Sequence, residues 1–418
     1  MWVNVDNLVF SRNNRRPIEQ DEAVGRRAGI FIALGLFATP YVLRHRIIPG
    51  SEAVWALNPL VLLSVAWLLL YMLGHKYSMS RSVSVVRFVL FAGLVFLAFS
   101  TGMSISYLIS CLFPLVLLLI VIPETIFPSF FEGFMRVLNV VMVIIVACAA
   151  CDVVSGSAVS KTFTAFYGSA SLVSMSSSGR LVSIMGHSLL TAEVALLYFA
   201  LSHIANRAMG IRVNQVLVTL ITAAVVLLTG SRSAMVCLLC MFILAYSNAD
   251  NIKYCIVIIF GLFAFYLAGL FDTMIDRIMI GIKTGDMTSS RNIQLDQLIA
   301  AGIIRYEWFV GHEFDYSNGL LVIALEYPLL RFAFSYGIAF AVLLGIYLFL
   351  LPLMQTFRSL GAVPCGLLAL YFVHVNTYSS ICSTQDGMLQ CVIVAWLFIG
   401  AARYLAYLQV SRSTEPGE

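Results

Sequence analysis

Charge is what this chain has least of. Asp, Glu, Lys and Arg make up 11% of its 418 residues against 61% hydrophobic ones, and the mean hydropathy is +0.94. No water-soluble fold hides that much apolar side chain, so the scarcity of charge excludes a soluble protein and implies an integral membrane protein. Strict alternation of apolar and polar residues is also missing, which excludes a transmembrane barrel. The apolar runs, of about 20 residues with Phe, Leu, Ile and Val mixed, read as helices.

Other absences narrow the field further. Basic residues are scattered at helix ends rather than gathered on a face, so the net charge of +4 does not point to nucleic acid. There is no repeat, no low-complexity region and no separate soluble domain. Of the nine cysteines, most lie in apolar segments. The two CxxC spacings, Cys148 to Cys151 and Cys237 to Cys240, fall in or beside expected spans; a zinc or redox site needs thiolates and two or more further ligands, so apolar packing is the better reading. No metal or cofactor is expected. The N-terminal stretch with Arg12, Arg15, Arg16, Arg26 and Arg27 beside Glu19, Asp21 and Glu22 is too long and too acidic for a signal peptide, so the first helix is expected to stay in the membrane.

What is present is an all-α pattern of about twelve spans in one polytopic domain covering 1–418. They are placed near 28–43, 55–74, 84–100, 104–122, 135–154, 188–206, 213–229, 233–247, 252–270, 333–353, 361–378 and 387–409. With the N-terminus cytoplasmic, His75, Lys76, Arg81, Arg136, Arg207, Arg212, Lys253, Arg358, Arg403 and Arg412 all fall inside; only Arg44, His45 and Arg46 in the first loop offend. Both termini are then cytoplasmic. The stretch 271–332, between the ninth and tenth spans, becomes the largest extracytoplasmic loop and is expected to hold short helices.

That orientation leaves Lys161, Arg180, Arg232, Arg277, Lys283, Arg291, Arg305 and Arg331 outside, against the bias. Thr229-Gly230-Ser231-Arg232-Ser233 is a turn between two spans. Its glycine permits a tight bend, and the following helix start offers free N–H groups beside a guanidinium, which together suit phosphate; the alternative is a snorkelling arginine. Gly179-Arg180-Leu181 and Gly186-His187-Ser188 lead into the sixth span. Arg180 supplies a second forked cation, and His187 reads as a base or as a helix-entry histidine bonded to backbone. Glu193, inside that span, is expected to line a polar cavity rather than to be paired. Arg291, ten residues before Gly302, and Arg305 lie in the large loop, where 289–301 reads as a solvated helix carrying Asp296. From Gly311 to Gly319, His312, Glu313, Asp315, Tyr316 and Asn318 form the densest set of proton-transfer groups, and 318–331 reads as a roof helix. His374 and Asn376 either line the site or pack near it.

Over residues 179–340 this order resembles the superfamily of bacterial O-antigen polymerases and O-antigen ligases, in particular Wzy-type polysaccharide polymerases. The resemblance rests on the Gly-Arg and Gly-x-Ser segment before a span, the Gly-Ser-Arg-Ser turn two spans on, a further hairpin, the large loop and the Asn-Gly-Leu-Leu segment. The Arg-ten-Gly pattern from Arg291 to Gly302 is similar to one in the polymerases. Ligases usually place a His before that Asn; Ser317 stands there, which favours polymerase.

The resemblance implies an undecaprenyl diphosphate-linked oligosaccharide as substrate, transfer of a growing chain onto the incoming repeat, the bacterial inner membrane as location and a chain-length regulator as partner. Arg180, Arg232, Arg291, Arg305, His187 and Asn318 are then the expected diphosphate- and glycan-binding residues. His312, Glu313 or Asp315 is expected to take the acceptor proton in a metal-independent, inverting transfer. A ligase attaching glycan to lipid A core is the nearest alternative, and a transporter or flippase is the alternative from another class.

Overall fold

The computed structural model describes residues 18–41, 43–44, 58–74, 81–101, 108–167, 179–247, 252–286, 288, 290–315, 318–382 and 386–414. Several features of the sequence lie outside these residues: Arg12, Arg15, Arg16, His45, Arg46, His75, Lys76, the Ser-rich stretch up to Ser178, and Tyr316 and Ser317.

Among the described residues all regular structure is helical. In chain order the helices are α1 (Ile18–Ala33), α2 (Pro59–Gly74), α3 (Arg81–Ser100), α4 (Phe127–Ser155), α5 (Ala158–Tyr167), α6 (Ser188–Ala208), α7 (Gln215–Thr229), α8 (Arg232–Tyr246) and α9 (Ile252–Leu267). There follow α10 (Asp272–Thr284), α11 (Arg291–Ala300), α12 (Gly319–Ala324), α13 (Pro328–Tyr336), α14 (Ile338–Leu360), α15 (Ala362–Val375) and α16 (Gly387–Thr414).

Four of these, α4, α6, α14 and α16, are long and apolar enough to cross a membrane; seven other apolar segments are shorter. The expected spans are corrected accordingly. The first helix starts at Ile18, not near 28, and loosens into a π turn at Leu34–Ala38. The fourth, expected at 104–122, is no continuous helix over its described part. Pro114 opens a 3-10 turn, Pro114–Leu119, and the chain is extended by Ile120. The tenth begins at Ile338 rather than 333, because Gly337 at φ +84° separates α13 from α14. The 155–187 connection contains a helix, α5, and the expected roof helix over 318–331 is two short helices broken before Pro328.

Close backbone approach sets the first helix pair. Gly25 and Gly29 stand one turn apart on α1 and face Ser129 and Phe130 of α4, while Gly133 of α4 faces Arg26. A Cβ on Gly29 would lie 2.0 Å from the Phe130 carbonyl oxygen, and one on Gly133 would lie 2.2 Å from that of Arg26. Small residues at such spacing let membrane helices pack without a gap. At the centre stand α6 and α16, apolar on nearly every side and buried along most of their described length. Large apolar side chains on the outer helices face outward, among them Leu70 and Leu73 of α2, Phe96 and Phe99 of α3, Val143 of α4 and Phe260 of α9. A water-soluble surface does not carry such a belt; a surface in lipid does.

The two ends of the bundle differ in their ion pairs. At the α4 N-terminal end, Glu132 accepts from Arg136 at 2.6 Å and from Arg26 at 3.4 Å, and Glu124 pairs with Arg403 at 2.8 Å. The other end is marked by Asp152, about 30 Å along α4 from Glu132 at the α-helical rise. Asp152 accepts from the Ser160 backbone and hydroxyl, and Ser160 Oγ in turn accepts from the Val182 N–H at 3.0 Å. Arg180 therefore belongs to the Asp152 end. Arg44, which offended the inside bias, is buried in a two-pronged pair with Asp386, Nη2 to Oδ1 at 2.7 Å and Nη1 to Oδ2 at 2.9 Å.

Candidate functional site

The site is assembled around the turn between α7 and α8. Gly230, at φ +61°, closes α7 in the left-handed region, and Ser231 caps α8 by accepting from the Ala234 N–H at 3.3 Å. The turn is held from one side by the 180–183 segment. Leu181 N–H donates to the Leu228 carbonyl at 2.9 Å, and Arg180 Nε donates to the Thr229 carbonyl at 2.9 Å. Thr191 of α6 fixes that segment through its hydroxyl, 2.8 Å from both the Val182 carbonyl and Ser183 Oγ.

From the other side α10 brings Arg277, whose guanidinium donates to the Gly230 carbonyl, while Arg232 Nη1 donates to the Arg277 carbonyl at 3.4 Å. Arg291, at the first position of α11, donates to the Thr377 carbonyl at 2.8 Å and forms an ion pair with Glu326. Four guanidinium groups from four separate segments thus converge on one turn. Burial, then the charges of Arg277, Arg291 and Arg232, pushes the Arg180 pKa down from its ordinary value; burial, then Arg232 and Arg291, does the same to Arg277. An arginine does not give up its proton in a protein, so the crowding is a standing electrostatic cost rather than a deprotonation. Among the described residues, Arg180 and Arg277 have no carboxylate partner and rest on backbone carbonyls. An anion docked here relieves that repulsion.

Beneath the arginines lies a floor of hydroxyls and one imidazole. Ser233 Oγ is 3.3 Å from His374 Nδ1 and accepts from the Thr377 hydroxyl at 3.0 Å. His374 is fully buried beside the Leu189 backbone, and among the described residues its Nε2 has no hydrogen bond of ordinary length. The His374 ring packs 5.5 Å from that of Tyr378, whose hydroxyl donates to Glu193. Glu193 also accepts from Tyr371 at 2.6 Å and Ser380 at 3.2 Å. It does not line a cavity, as expected from the sequence; three hydroxyl groups from α15 and the following turn satisfy it, because α15 packs directly on α6.

Of the expected site residues, Arg180, Arg232 and Arg291 come together. His187 stands at the edge of the group and caps α6 by accepting from the Leu189 N–H at 3.1 Å through Nδ1, so it is the helix-entry histidine of the two readings. Burial, and then the neighbouring Arg180, pushes its pKa down to about 4. Arg305 is exposed and turned back onto the Gly302 carbonyl at 3.0 Å. His312 is pinned through its backbone N–H to the Phe334 carbonyl at 2.9 Å, and its ring lies against Phe334 with Glu307 at 3.9 Å. Glu313 and Asp315 are exposed. Asn318 caps α12 by accepting from the Leu321 N–H at 3.2 Å. Asn376 donates to the Phe372 carbonyl at 2.9 Å, leaving its Oδ1 buried without a partner.

Sequence reasoning gave no site role to Arg277, Ser233 or Thr377. Arg277 was visible as a cation breaking the inside bias, whereas Thr377 carried no signal at all. Among the described residues, no group of three His, Cys, Asp or Glu side chains is placed to hold a metal ion. Comparison with protein-family models, with curated proteins and with solved structures finds no match to this chain.

Proposed function

We propose that the protein is a polymerase of lipid-linked oligosaccharide repeats, a membrane glycosyltransferase using an undecaprenyl diphosphate-linked donor. The observation that carries this reading is the convergence of Arg180, Arg232, Arg277 and Arg291 on the Gly230 turn, where among the described residues Arg180 and Arg277 have no carboxylate partner. Forked guanidinium groups bind phosphate oxygens two at a time, and their hydrogen bonds to an anion are roughly twice as strong as neutral ones. A diphosphate leaving group builds up negative charge as its bond to the sugar breaks. Preplaced cations stabilise that charge without moving and without a metal.

In this reading the chain has about twelve spans with both termini cytoplasmic, and the arginine end faces the periplasm of a bacterial inner membrane. Region 271–332 is the large periplasmic loop. It carries Arg277 and Arg291 to the turn, and a small core of Leu298, Ile304, Leu321, Leu325 and Phe334 stiffens it. The growing chain passes to the acceptor hydroxyl of the incoming repeat with inversion at the anomeric carbon, and a chain-length regulator acts as partner.

The test is surface glycan resolved on a gel from cells whose only copy carries Arg232→Ala. Accumulation of single repeats, with polymer reduced by about 100-fold or more, is the expected result for loss of one charge-stabilising donor. A full-length ladder at normal yield overturns the reading. Polymer that is made but left unattached points instead to the ligase.

A further inference from the structure

We propose that Ser233 and His374 form the proton relay that activates the acceptor hydroxyl, in place of the His312 group; this rests on the polymerase reading above. Ser233 is half-buried and sits one residue beyond Arg232, at the start of α8. It is tied to the anion end through Thr377, whose carbonyl accepts from Arg291 at 2.8 Å and whose hydroxyl lies 3.0 Å from Ser233 Oγ. On its inner side, Ser233 Oγ is 3.3 Å from His374 Nδ1. A serine hydroxyl has one proton to give and two lone pairs to accept with. The Thr377 hydroxyl, shared with the His374 carbonyl at 2.7 Å, takes one lone pair, the proton points to His374, and an incoming hydroxyl takes the second in place of Ser231 Oγ, 3.4 Å away.

His374 has the marks of a group kept for chemistry. Its ring is fully buried beside the Leu189 backbone, and among the described residues Nε2 has no hydrogen bond of ordinary length. Buried polar atoms are almost always partnered, and one without a partner calls for an explanation such as a catalytic role.

The step balances as follows. The acceptor hydroxyl passes its proton to Ser233 Oγ while the proton of Ser233 moves to His374 Nδ1. The acceptor oxygen forms its bond to the anomeric carbon; the bond from that carbon to the diphosphate oxygen breaks, and its electron pair leaves with the lipid diphosphate. The proton on His374 returns through Ser233 to the departing diphosphate, which has gained one negative charge.

The experiment compares full-length wild type, Ser233→Ala, Ser233→Thr, His374→Gln and Arg232→Ala in nanodiscs. Binding of undecaprenyl diphosphate and chain growth from a lipid-linked repeat are both measured, with melting temperature as the check on folding. Ser233→Ala and His374→Gln are expected to lower kcat about 100-fold, the usual contribution of a placed proton acceptor, with donor KM and lipid diphosphate binding unchanged. Ser233→Thr, which keeps the hydroxyl, retains most of the rate, while Arg232→Ala loses binding. Wild-type kcat in Ser233→Ala or His374→Gln overturns the relay and leaves the arginine site standing, as does loss of rate in Ser233→Thr equal to that in Ser233→Ala. A wild type that binds no lipid diphosphate and grows no chain overturns both.

Discussion

Arg44 and Asp386, from opposite ends of the sequence, meet as a buried two-pronged pair, with Nη2 2.7 Å from Oδ1 and Asn58 Nδ2 3.4 Å from the same oxygen. The pair ties the segment after α1 to the start of α16. Removing one partner strands the other as an uncompensated buried charge, which costs about 3 to 5 kcal/mol, whereas replacing both with apolar groups of similar size is nearly neutral. Asp386→Leu alone is therefore expected to lower the melting temperature and yield of purified protein sharply. Arg44→Met combined with Asp386→Leu is expected to recover most of the loss. A single variant as stable as wild type rules out the pair as a structural clamp.

The α1–α4 contact depends on having no side chain at three positions. Gly29→Leu and Gly133→Val force backbone apart where a Cβ already falls 2.0 to 2.2 Å from a carbonyl oxygen. Overpacking of this kind costs about 1 to 3 kcal/mol and more where the obstacle is backbone. Both variants are expected to melt earlier in detergent than Gly74→Ala, a control at a glycine whose added Cβ meets nothing.

His187 gives the stability a defined dependence on pH. Its pKa lies at about 4 in the fold, because burial and Arg180 disfavour the charge, against an ordinary value of about 6.5. At neutral pH both folded and unfolded forms are uncharged there. As pH falls below about 6.5 the unfolded chain takes up a proton that the fold refuses, so stability is lost progressively down to about 4, by about 3 kcal/mol. His187→Asn keeps a helix cap without a titrating group. The expected result is a melting temperature that falls less in this variant than in wild type between pH 7 and pH 5; parallel curves refute the assignment.

Arg277 and Arg305 separate a cation in the site from a cation beside it. Arg277→Ala is expected to cut polymer by about 100-fold, as one charge-stabilising donor does. Arg305→Ala, removing an exposed side chain bonded to its own turn, is expected to leave the ladder on a gel unchanged. Reversal of this order would place the anion in the large loop and not at the Gly230 turn.

The membrane character and the helical class were legible in the sequence because both follow from hydropathy, which is additive along the chain. So were Arg180, Arg232 and Arg291: each breaks a charge bias that the rest of the chain respects, and such breaks are rare enough to notice. The His312 to Asp315 group was chosen for local density of polar residues, but neighbours in sequence need not share a site. His312 is held against Phe334 instead, while the imidazole beneath the arginines comes from α15, where a single His in an apolar run looks like packing. Arg44 looked like an exception to the orientation rule because its partner lies at the far end of the chain. Helix lengths were the least legible, since breaks at Pro114 and Gly337 depend on how the chain turns to meet its neighbours.

The helices α7 and α8 have 15 residues each and rise only about 22 Å, against roughly 30 Å of hydrocarbon. In the proposed orientation, with their far ends at one membrane surface, the Gly230 turn would sit below the opposite surface, in a dimple. A lipid headgroup reaching those arginines is drawn beneath the level of its neighbours, and its chain bends aside. On the proposed function, bilayer thickness becomes a control on the protein: thinner bilayers are expected to level the dimple and ease release of the spent carrier, and thicker ones to deepen it and slow turnover.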